Sequence, residues 1–271
     1  MNDTTPVPVL KIRGITKHYG GVKALTEANF ALAPGEHAAI VGDNGAGKST
    51  FVRLITGAEQ PNSGTICIDG VEVKFDSPLD ARDKGIETVY QTLALAEDLD
   101  VPANIFLGRE ETLFNLGPLS ILNHKAMREK SVDMLATTGV KIQDMGETLR
   151  GMSGGQRQCV AIARAAGFAK KLIILDEPTA ALGIQETARV EDIIKGLKQR
   201  GVPLIIISHN LRQVFELSDR IWVFRQGRII ASVLTAASNP EQIVGLITGA
   251  IDPETISGAT DQIKDIALFL S

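Results

Sequence analysis

Hydrophobic and polar positions follow a strand-like pattern in the first part of the chain. Three short runs are rich in β-prone residues and are separated by dipeptides that favour tight turns. The runs are residues 9–12, 30–32 and 65–68, and the turn dipeptides are Gly20-Gly21, Pro34-Gly35 and Asp69-Gly70. Residues 38–41 add a strand-like apolar run, and residues 51–56 have the amphipathic spacing of a helix. We therefore predict strands and turns around a strand–loop–helix unit.

After residue 150, apolar runs of strand length alternate with helical periodicity. The pattern predicts a helix from 156 to about 166, a buried strand at 172–175, a helix near 186–199 and a buried strand at 204–207. Strands that alternate with helices indicate a parallel sheet. The Gln226-Gly227 turn between residues 221–224 and 228–231 predicts a closing hairpin, whereas residues 252–271 have no assignable pattern.

Between about residues 92 and 150, helical signals replace strand signals. Asn123 is a suitable N-cap for a helix over residues 125–138 that ends before Gly139. Residues 102–108 also have a helical pattern. We therefore predict a helical insert in this part of the chain.

The composition is that of a globular protein. The chain has 271 residues, of which 44% are hydrophobic and 22% charged, enough for one sizeable core. No apolar run approaches the ~20 residues that span a bilayer, and the N-terminus lacks a signal core, so we expect no export and only peripheral membrane association. Cys67 and Cys159 lack metal-binding spacing. Because 28 Lys and Arg stand against 32 Asp and Glu, we expect no nucleic-acid partner.

One loop has the composition of a phosphate-binding site. The segment Gly42-Asp43-Asn44-Gly45-Ala46-Gly47-Lys48-Ser49-Thr50 joins the run 38–41 to the amphipathic residues 51–56. Its glycines let backbone N–H groups turn inward around an anion, and the helix N-terminus adds its positive dipole end. The Lys48 ammonium can reach the β- and γ-phosphates, and the Ser49 hydroxyl can ligate Mg²⁺. The sequence thus predicts a site for a nucleoside triphosphate with Mg²⁺.

Two carboxylates follow the predicted strand 172–175. Asp176 and Glu177 precede Pro178. Because ligands of open α/β sheets gather at the carboxyl ends of strands, we expect the pair to lie beside the phosphate loop. Asp176 can hold Mg²⁺, directly or through water, and Glu177 can orient and deprotonate an attacking water.

A third motif, Met152-Ser153-Gly154-Gly155-Gln156-Arg157, has the composition of a second anion site. A serine and two glycines at a helix start aim a hydroxyl and N–H groups along the helix dipole. Together with the phosphate loop, Asp176-Glu177 and His209, this motif makes the chain resemble the ATPase subunit of an ATP-binding cassette (ABC) transporter. The resemblance covers roughly residues 10–249.

The resemblance implies an α/β fold: a P-loop NTPase core with a mostly parallel sheet, an antiparallel β subdomain and a helical insert. A single ABC ATPase domain would then span residues 1–271. Its nucleotide-binding core with the β subdomain would occupy about 1–91 and 151–250, its helical subdomain about 92–150, and its tail 251–271. The Ser153 motif would serve ATP bound by a second copy, so that two chains pair head to tail around two nucleotides.

The resemblance also implies individual roles. Tyr19 lies where the family places a ring that stacks on adenine, with a buried core tyrosine as the alternative. Gln91 would contact Mg²⁺ or water, and His209 could bridge phosphate, water and Glu177. The implied residues are Glu177, His209, Lys48 and Gln91 for catalysis; Tyr19, Gly42, Asn44, Gly45, Ala46, Gly47, Lys48, Ser49, Thr50, Ser153, Gly154, Gly155 and Gln156 for the nucleotide; and Ser49, Gln91 and Asp176 for the metal.

Two positions depart from the family pattern. Met152 replaces the more usual leucine at the start of its motif, which conserves volume. Gly183 stands where many members have an aspartate that helps to couple the two sites, so the chain lacks that coupling carboxylate.

A resemblance to one group within the family indicates the class of the transported solute. Residues 104–110 and 207–211 are similar to segments in ATPases of bacterial monosaccharide importers of the ribose, xylose and fructose group. The resemblance implies an ATP hydrolase that works with transmembrane permease subunits, with a second copy of itself and, indirectly, with a periplasmic sugar-binding protein. It would act at the cytoplasmic face of the bacterial inner membrane.

Three other functions stay open at this point. The chain could power an importer for another small polar solute, such as an amino acid. A soluble cassette ATPase acting in DNA repair or translation is disfavoured, because long coiled-coil heptads and a basic excess are missing. A subunit that binds ATP without hydrolysing it is disfavoured by Glu177 and His209.

Overall fold

The computed structural model describes residues 7–114, 120–142 and 144–268. Contacts divide the chain into two units. The first unit comprises Met1–Thr88, Ala169–Glu177 and Lys198–Ser271, and the second comprises Val89–Phe168 and Pro178–Leu197.

The described residues form both strands and helices. The strands are β1 (Leu10–Tyr19), β2 (Val22–Leu32), β3 (His37–Gly42), β4 (Ser63–Ile68), β5 (Val71–Val73), β6 (Ile86–Val89), β7 (Thr112–Phe114), β8 (Ile121–Leu122), β9 (Leu172–Asp176), β10 (Leu204–Ile207), β11 (Arg220–Arg225) and β12 (Arg228–Leu234). The helices are α1 (Lys48–Ile55), α2 (Pro78–Asp83), α3 (Val101–Phe106), α4 (His124–Thr137), α5 (Gly154–Phe168), α6 (Ile184–Gln199), α7 (Leu211–Leu217), α8 (Pro240–Thr248) and α9 (Asp261–Leu268). In the described part of the chain, no helix is both long and apolar enough to cross a bilayer.

An antiparallel sheet is built from the N-terminal strands in the order β2-β1-β4-β5. Two-residue turns join its hairpins, since Tyr19 pairs with Val22 and Ile68 pairs with Val71. The predicted turns at 20–21 and 69–70 and the three predicted strands are therefore confirmed. One face of the sheet is apolar, as the buried residues of β1 show.

A second sheet has the order β12-β11-β3-β10-β9-β6. The pairs β3–β10, β10–β9 and β11–β3 are parallel, and β11–β12 is an antiparallel hairpin. The predicted parallel sheet and closing hairpin are thus confirmed. Ile207 of β10 lies opposite both Ile40 of β3 and Asp176 of β9, so the carboxyl ends of these three strands meet at one edge.

Aromatic residues connect the elements of the first unit. The ring centroids of Phe30 and Trp222 lie 4.6 Å apart, those of Phe30 and Phe51 lie 5.3 Å apart, and those of Phe51 and Phe224 lie 5.2 Å apart. All four side chains are fully buried. Because they come from β2, α1 and β11, the antiparallel sheet, the first helix and the parallel sheet share one core.

Helices dominate the second unit. The Asn123 side chain accepts a hydrogen bond from the Ala126 N–H (3.0 Å) and caps α4, which ends before Gly139 as predicted. The antiparallel pairing of β7 with β8 was not anticipated, because these strands are only two or three residues long. The helical subdomain at about 92–150 stays a prediction; packing alone also groups α5 and most of α6 with these helices.

Residues 252–271 had no assignable pattern; of these, residues 252–268 are described and belong to the first unit, and 269–271 lie outside the described residues. A 3₁₀ helix at Pro253–Thr255 leads to α9, whose Ile263 and Ile266 pack against the main core. The Ser232 N–H of β12 donates to the Ala259 carbonyl (2.6 Å), and the Ser232 hydroxyl donates to Gln262 Oε1 (3.0 Å). The segment is therefore a packed part of this unit.

The packing of α9 gives a stability prediction. Ile266 is almost completely buried, so Ile266→Ala removes apolar contacts and should lower the free energy of unfolding by about 2 to 4 kcal/mol. The neighbouring Asp265 is exposed, and Asp265→Ala should change it by less than ~0.5 kcal/mol. Urea unfolding of both variants measures the difference. Equal effects of the two substitutions would contradict the packing of α9 on the core.

Candidate functional site

The loop between β3 and α1 follows a path that requires glycine at two positions. A Cβ on Gly42 would lie 2.2 Å from the Phe224 carbonyl oxygen, and a Cβ on Gly47 would lie 2.8 Å from the Ala24 carbonyl oxygen. Gly47 also has a φ of 102°, in the left-handed region. The Ala46 carbonyl accepts a hydrogen bond from the Gly227 N–H (3.1 Å). The loop is therefore held against β2, β11 and the β11–β12 turn.

The helix that follows the loop presents its N-terminus without a side-chain cap, because Gly47 occupies the N-cap position. Such a helix start attracts anions through its N–H groups and dipole. Ser49 is exposed in the first turn, Thr50 is partly exposed, and Asn44 is exposed in the loop. The predicted nucleotide-binding residues 42–50 thus lie together at the carboxyl end of β3, where all except the buried Ala46 are at least partly exposed.

Lys48 folds back over this loop. Its Nζ donates hydrogen bonds to the carbonyl oxygens of Gly42 (2.6 Å) and Asp43 (2.9 Å). Burial lowers the pKa of Lys48, and the negative charges of Glu177, Asp43 and Asp176 oppose that shift. An anion bound to the loop would stabilise a half-buried ammonium in this position.

The two carboxylates lie where β9 ends. Burial raises the pKa of Asp176, as does the charge of Glu177, while Lys48 lowers it. Glu177 has a φ of 51°, which costs energy for a residue with a side chain, and its N–H donates to the Ile207 carbonyl (3.0 Å). This strained backbone directs the Glu177 carboxylate to the edge at which β3, β9 and β10 end.

His209 contacts the second of these carboxylates. Its Nδ1 lies 2.8 Å from Glu177 Oε1 in a hydrogen bond between imidazole and carboxylate. The imidazole is largely exposed, whereas the Glu177 side chain is mostly buried. The structure therefore brings the predicted residues Lys48, Asp176, Glu177 and His209 to one edge of the parallel sheet. Their chemical roles remain predictions.

Tyr19 is not a core residue. Its side chain is 42% exposed at the end of β1, so the alternative of a buried tyrosine is wrong. The hydroxyl donates to Glu59, which also pairs with Arg53 of α1 (3.1 Å), and Lys17 Nζ lies 5.3 Å from the ring centroid. These contacts orient an exposed aromatic ring in the first unit. Stacking on adenine remains a prediction.

The Ser153 motif lies in the second unit. The Ser153 hydroxyl accepts from the Gln156 N–H (3.2 Å), and Gln156 Oε1 accepts from the Ser153 N–H (2.8 Å), so the two residues form a capping box at the start of α5. Met152 is buried, as a leucine would be. The Ser153 hydroxyl also donates to Glu186 Oε1 (2.7 Å). The motif thus binds an acidic group.

Sequence reasoning missed Glu186. Its Oε1 also accepts from the Gly155 N–H (3.2 Å), and its Oε2 accepts from the Gly183 N–H (3.3 Å). The available signal was a glutamate in the first turn of the helix predicted near 186–199, where acids interact with free N–H groups. Ser153 and Gly155 lie far earlier in the chain, so the contact of Glu186 with these two residues had no local signal.

The metal-binding prediction rests on Ser49, Asp176 and Gln91. Gln91 is exposed, follows β6 and belongs to the second unit. Among the described residues there is no group of three or more His, Cys, Asp and Glu side chains that could hold a metal ion. The Asp176 carboxylate at the end of β9 and the Ser49 hydroxyl in the first turn of α1 fit Mg²⁺, which commonly takes most of its remaining ligands from substrate phosphates and water.

Known proteins resemble this chain along most of its length. The family model described as ABC transporter matches residues 25–180. The chain is 44% identical over 251 residues to the fructose import ATP-binding protein FrcA of Rhizobium meliloti, covering 91% of this chain and 96% of that protein. It is 43% identical over 240 residues to the xylose/arabinose import ATP-binding protein XylG of Sulfolobus acidocaldarius, covering 89% and 94%. A solved nucleotide-free ATP-binding cassette from an ABC transporter has a TM-score of 0.75 at 25% identity, covering 92% of this chain and 98% of that one.

The phosphate loop gives a prediction with an internal control. Gly45 and Gly47 both have positive φ, but a Cβ on Gly45 meets no atom within 4 Å, whereas one on Gly47 overlaps the Ala24 carbonyl. Gly45→Ala should lower the free energy of unfolding by about 1 kcal/mol, and Gly47→Ala by roughly 2 kcal/mol more. Urea unfolding of the two variants tests this order. Equal losses would show that the loop does not press against β2.

Proposed function

This chain belongs to the ABC transporter family, and on that premise we propose that it is the ATP-hydrolysing subunit that powers monosaccharide import through a partner permease. The observation that carries the proposal is the meeting of the phosphate loop, Asp176, Glu177 and His209 at one edge of the parallel sheet. The solute class follows from two relatives named for import of fructose and of xylose or arabinose, matched over nearly their whole length.

Triphosphate binding would use groups that the loop already orients. Backbone N–H groups of the loop and of the first turn of α1 would face the anion, and Lys48 would move from its two loop carbonyls to the β- and γ-phosphates. Lys48 gains from this move, because its charge is partly desolvated. Tyr19 would stack on the adenine ring, supported by its exposure and by its tether to Glu59.

Mg²⁺ is the cation that we propose to accompany ATP. Ser49 and Asp176 would hold it, and Gln91 is kept as a further ligand on the family resemblance alone. When bound, Mg²⁺ neutralises negative charge on the phosphates. Asp176 suits the role, since both its burial and the charge of Glu177 favour a nearby cation.

Hydrolysis would depend on Glu177 as the general base. The carboxylate accepts a proton from water as the water oxygen forms a bond to the γ-phosphorus and the bond to the ADP oxygen breaks. Two contacts hold Glu177 in place for this step: its N–H bonds to the Ile207 carbonyl, and His209 bonds to Oε1. The exposed imidazole of His209 would contact the γ-phosphate as well.

We further propose that two copies bind two ATP molecules between them. The hydroxyl of Ser153 and the N–H of Gly155 would contact the γ-phosphate held by the phosphate loop of the second copy. This assignment is supported by the acidic group that the motif already binds. Closing and opening of the pair would drive the permease from the cytoplasmic face of the inner membrane, with a periplasmic sugar-binding protein delivering the solute.

Glu177 gives the first functional prediction. Glu177→Gln keeps the shape of the side chain but removes its basicity, so ATP hydrolysis should fall roughly 10²- to 10⁴-fold while ATP binding persists. Steady-state phosphate release and equilibrium ATP binding measure the two properties. Glu72→Gln, on the exposed edge of β5, is the matched control and should keep the parental rate. Near-parental turnover by Glu177→Gln would remove Glu177 from the role of general base.

The solute is tested in the complete transporter. The chain is reconstituted in vesicles with the permease and the sugar-binding protein encoded beside it, and ATP hydrolysis is measured against a panel of monosaccharides and amino acids. A monosaccharide should stimulate hydrolysis several-fold, because solute loading favours closure of the ATP-bound pair. Stimulation by an amino acid, with no response to any monosaccharide, would replace the proposed solute class.

A further inference from the structure

The carboxylate of Glu186 binds the Ser153 motif through the same donors that the proposed function assigns to a γ-phosphate. Its Oε1 accepts from the Ser153 hydroxyl at 2.7 Å and from the Gly155 N–H at 3.2 Å. Both donors and Glu186 belong to the second unit of one chain. The motif therefore has an internal anionic partner.

Packing brings Glu186 close to the start of α5. A Cβ on Gly155 would lie 2.6 Å from Glu186 Cγ and 2.7 Å from Glu186 Cβ, so only glycine at 155 permits this approach. The hydrogen bond from the Ser153 hydroxyl and those from the Gly183 and Gly155 N–H groups lower the pKa of Glu186. The group is accordingly ionised at neutral pH.

The donors cannot fully serve two anions. A serine hydroxyl has one proton to donate, and so has a backbone N–H. A phosphate oxygen at the same donors would also place a second negative charge within a few ångströms of the carboxylate, which is unfavourable. Glu186 must therefore release Ser153 and Gly155 before a phosphate can take its place.

Release does not require α6 to unfold. The other carboxylate oxygen, Oε2, accepts from the Gly183 N–H just before α6 (3.3 Å). This is the N-terminal bond that a glutamate in a first helical turn commonly makes. Rotation of the side chain can thus move Oε1 away from Ser153 while the start of α6 stays capped.

We infer that Glu186 is an internal competitor of the γ-phosphate, which must be displaced from Ser153 and Gly155 when ATP closes two copies and which reclaims them on opening. The inference rests on the proposed function, in which these donors act on the nucleotide of the second copy. It assigns Glu186 the role of a positioning residue that sets how much ATP is needed for closure.

The experiment measures the dissociation constant of the ATP-bound pair. In the Glu177→Gln background, hydrolysis no longer opens the pair, and light scattering with Mg-ATP over a range of protein concentrations gives the constant. Glu186→Gln removes the competing charge and should tighten the pair about tenfold, since two motifs per pair are relieved. Asp192→Asn removes one negative charge from an exposed position of the same helix and should leave the constant unchanged.

A third variant separates the effect of side-chain length at position 186 from the effect of its charge. Glu186→Asp keeps the charge, but its side chain is one methylene shorter, so it cannot bind both Ser153 and Gly183. Competition for donors predicts that this variant also tightens the pair, whereas a dissociation constant equal to the parent would contradict it. Circular dichroism of the monomers checks that every variant keeps the helix content of the parent. If Glu186→Gln fails to fold, Glu186→Asp is the variant that tests the inference.

A control separates failure of the inference from failure of the proposed function. Ser153→Arg in the Glu177→Gln background blocks the motif with a bulky cation and should abolish the pair. If the background protein does not pair with Mg-ATP, or pairs equally well with Ser153→Arg, the proposed function is wrong. If pairing is ATP-dependent and needs Ser153, but Glu186→Gln pairs no better than Asp192→Asn, Glu186 is only a helix cap and the inference is overturned.

Discussion

The close contact of the phosphate loop with the strands around it constrains the rest of the first unit. Gly42 passes so near the Phe224 carbonyl that no side chain fits, and Gly47 does the same beside Ala24. Beneath the loop, Phe51 and Phe224 belong to the fully buried aromatic cluster. Backbone contacts and the packed core together fix the loop, so its N–H groups stay oriented without a ligand. This lowers the entropic cost of binding a ligand.

At this edge of the sheet, burial makes the charges of Lys48 and Asp176 unfavourable unless each has a partner of opposite charge. Burial shifts the pKa of Lys48 down and that of Asp176 up, so each group is driven toward its neutral form. Lys48 would gain a negative partner in the phosphates and Asp176 a positive one in Mg²⁺. The neighbouring Glu177 is held in place by its strained backbone and by the hydrogen bond with His209. The strain is stored at the residue for which we propose the role of general base.

The two proposed phosphate-binding elements differ in whether their hydrogen-bond donors already have partners within the chain. The phosphate loop relies on glycines with positive φ and on a helix start without a side-chain cap. The Ser153 motif relies on a capping box with Gln156, and its remaining donors contact Glu186. The first element is therefore open to an anion from solution, whereas the second would have to exchange a carboxylate of its own chain for the proposed phosphate. In the proposed ATP-bound pair, such an exchange would make closure depend on the charge and hydrogen-bonding strength of the ligand, which a triphosphate would provide.

Local sequence determined the elements whose signals are short-range. The apolar run 204–207 became β10 at those residues, Asn123 capped α4, and the glycine-rich loop lay between β3 and α1 as its spacing required. These features depend on side-chain periodicity, capping and backbone freedom, which act within a few residues. The family followed from motifs of the same kind.

Only the tertiary structure decided the features that depend on partners distant along the chain. The packing of Ile266 on the core and the exposure of Tyr19 were of this type, and the alternative of a buried tyrosine proved wrong. The contact of Glu186 with Ser153 joins the starts of two helices that are separated by a strand. No periodicity encodes such a contact, because its energy arises only after both helices have packed and their free N–H groups face the same carboxylate.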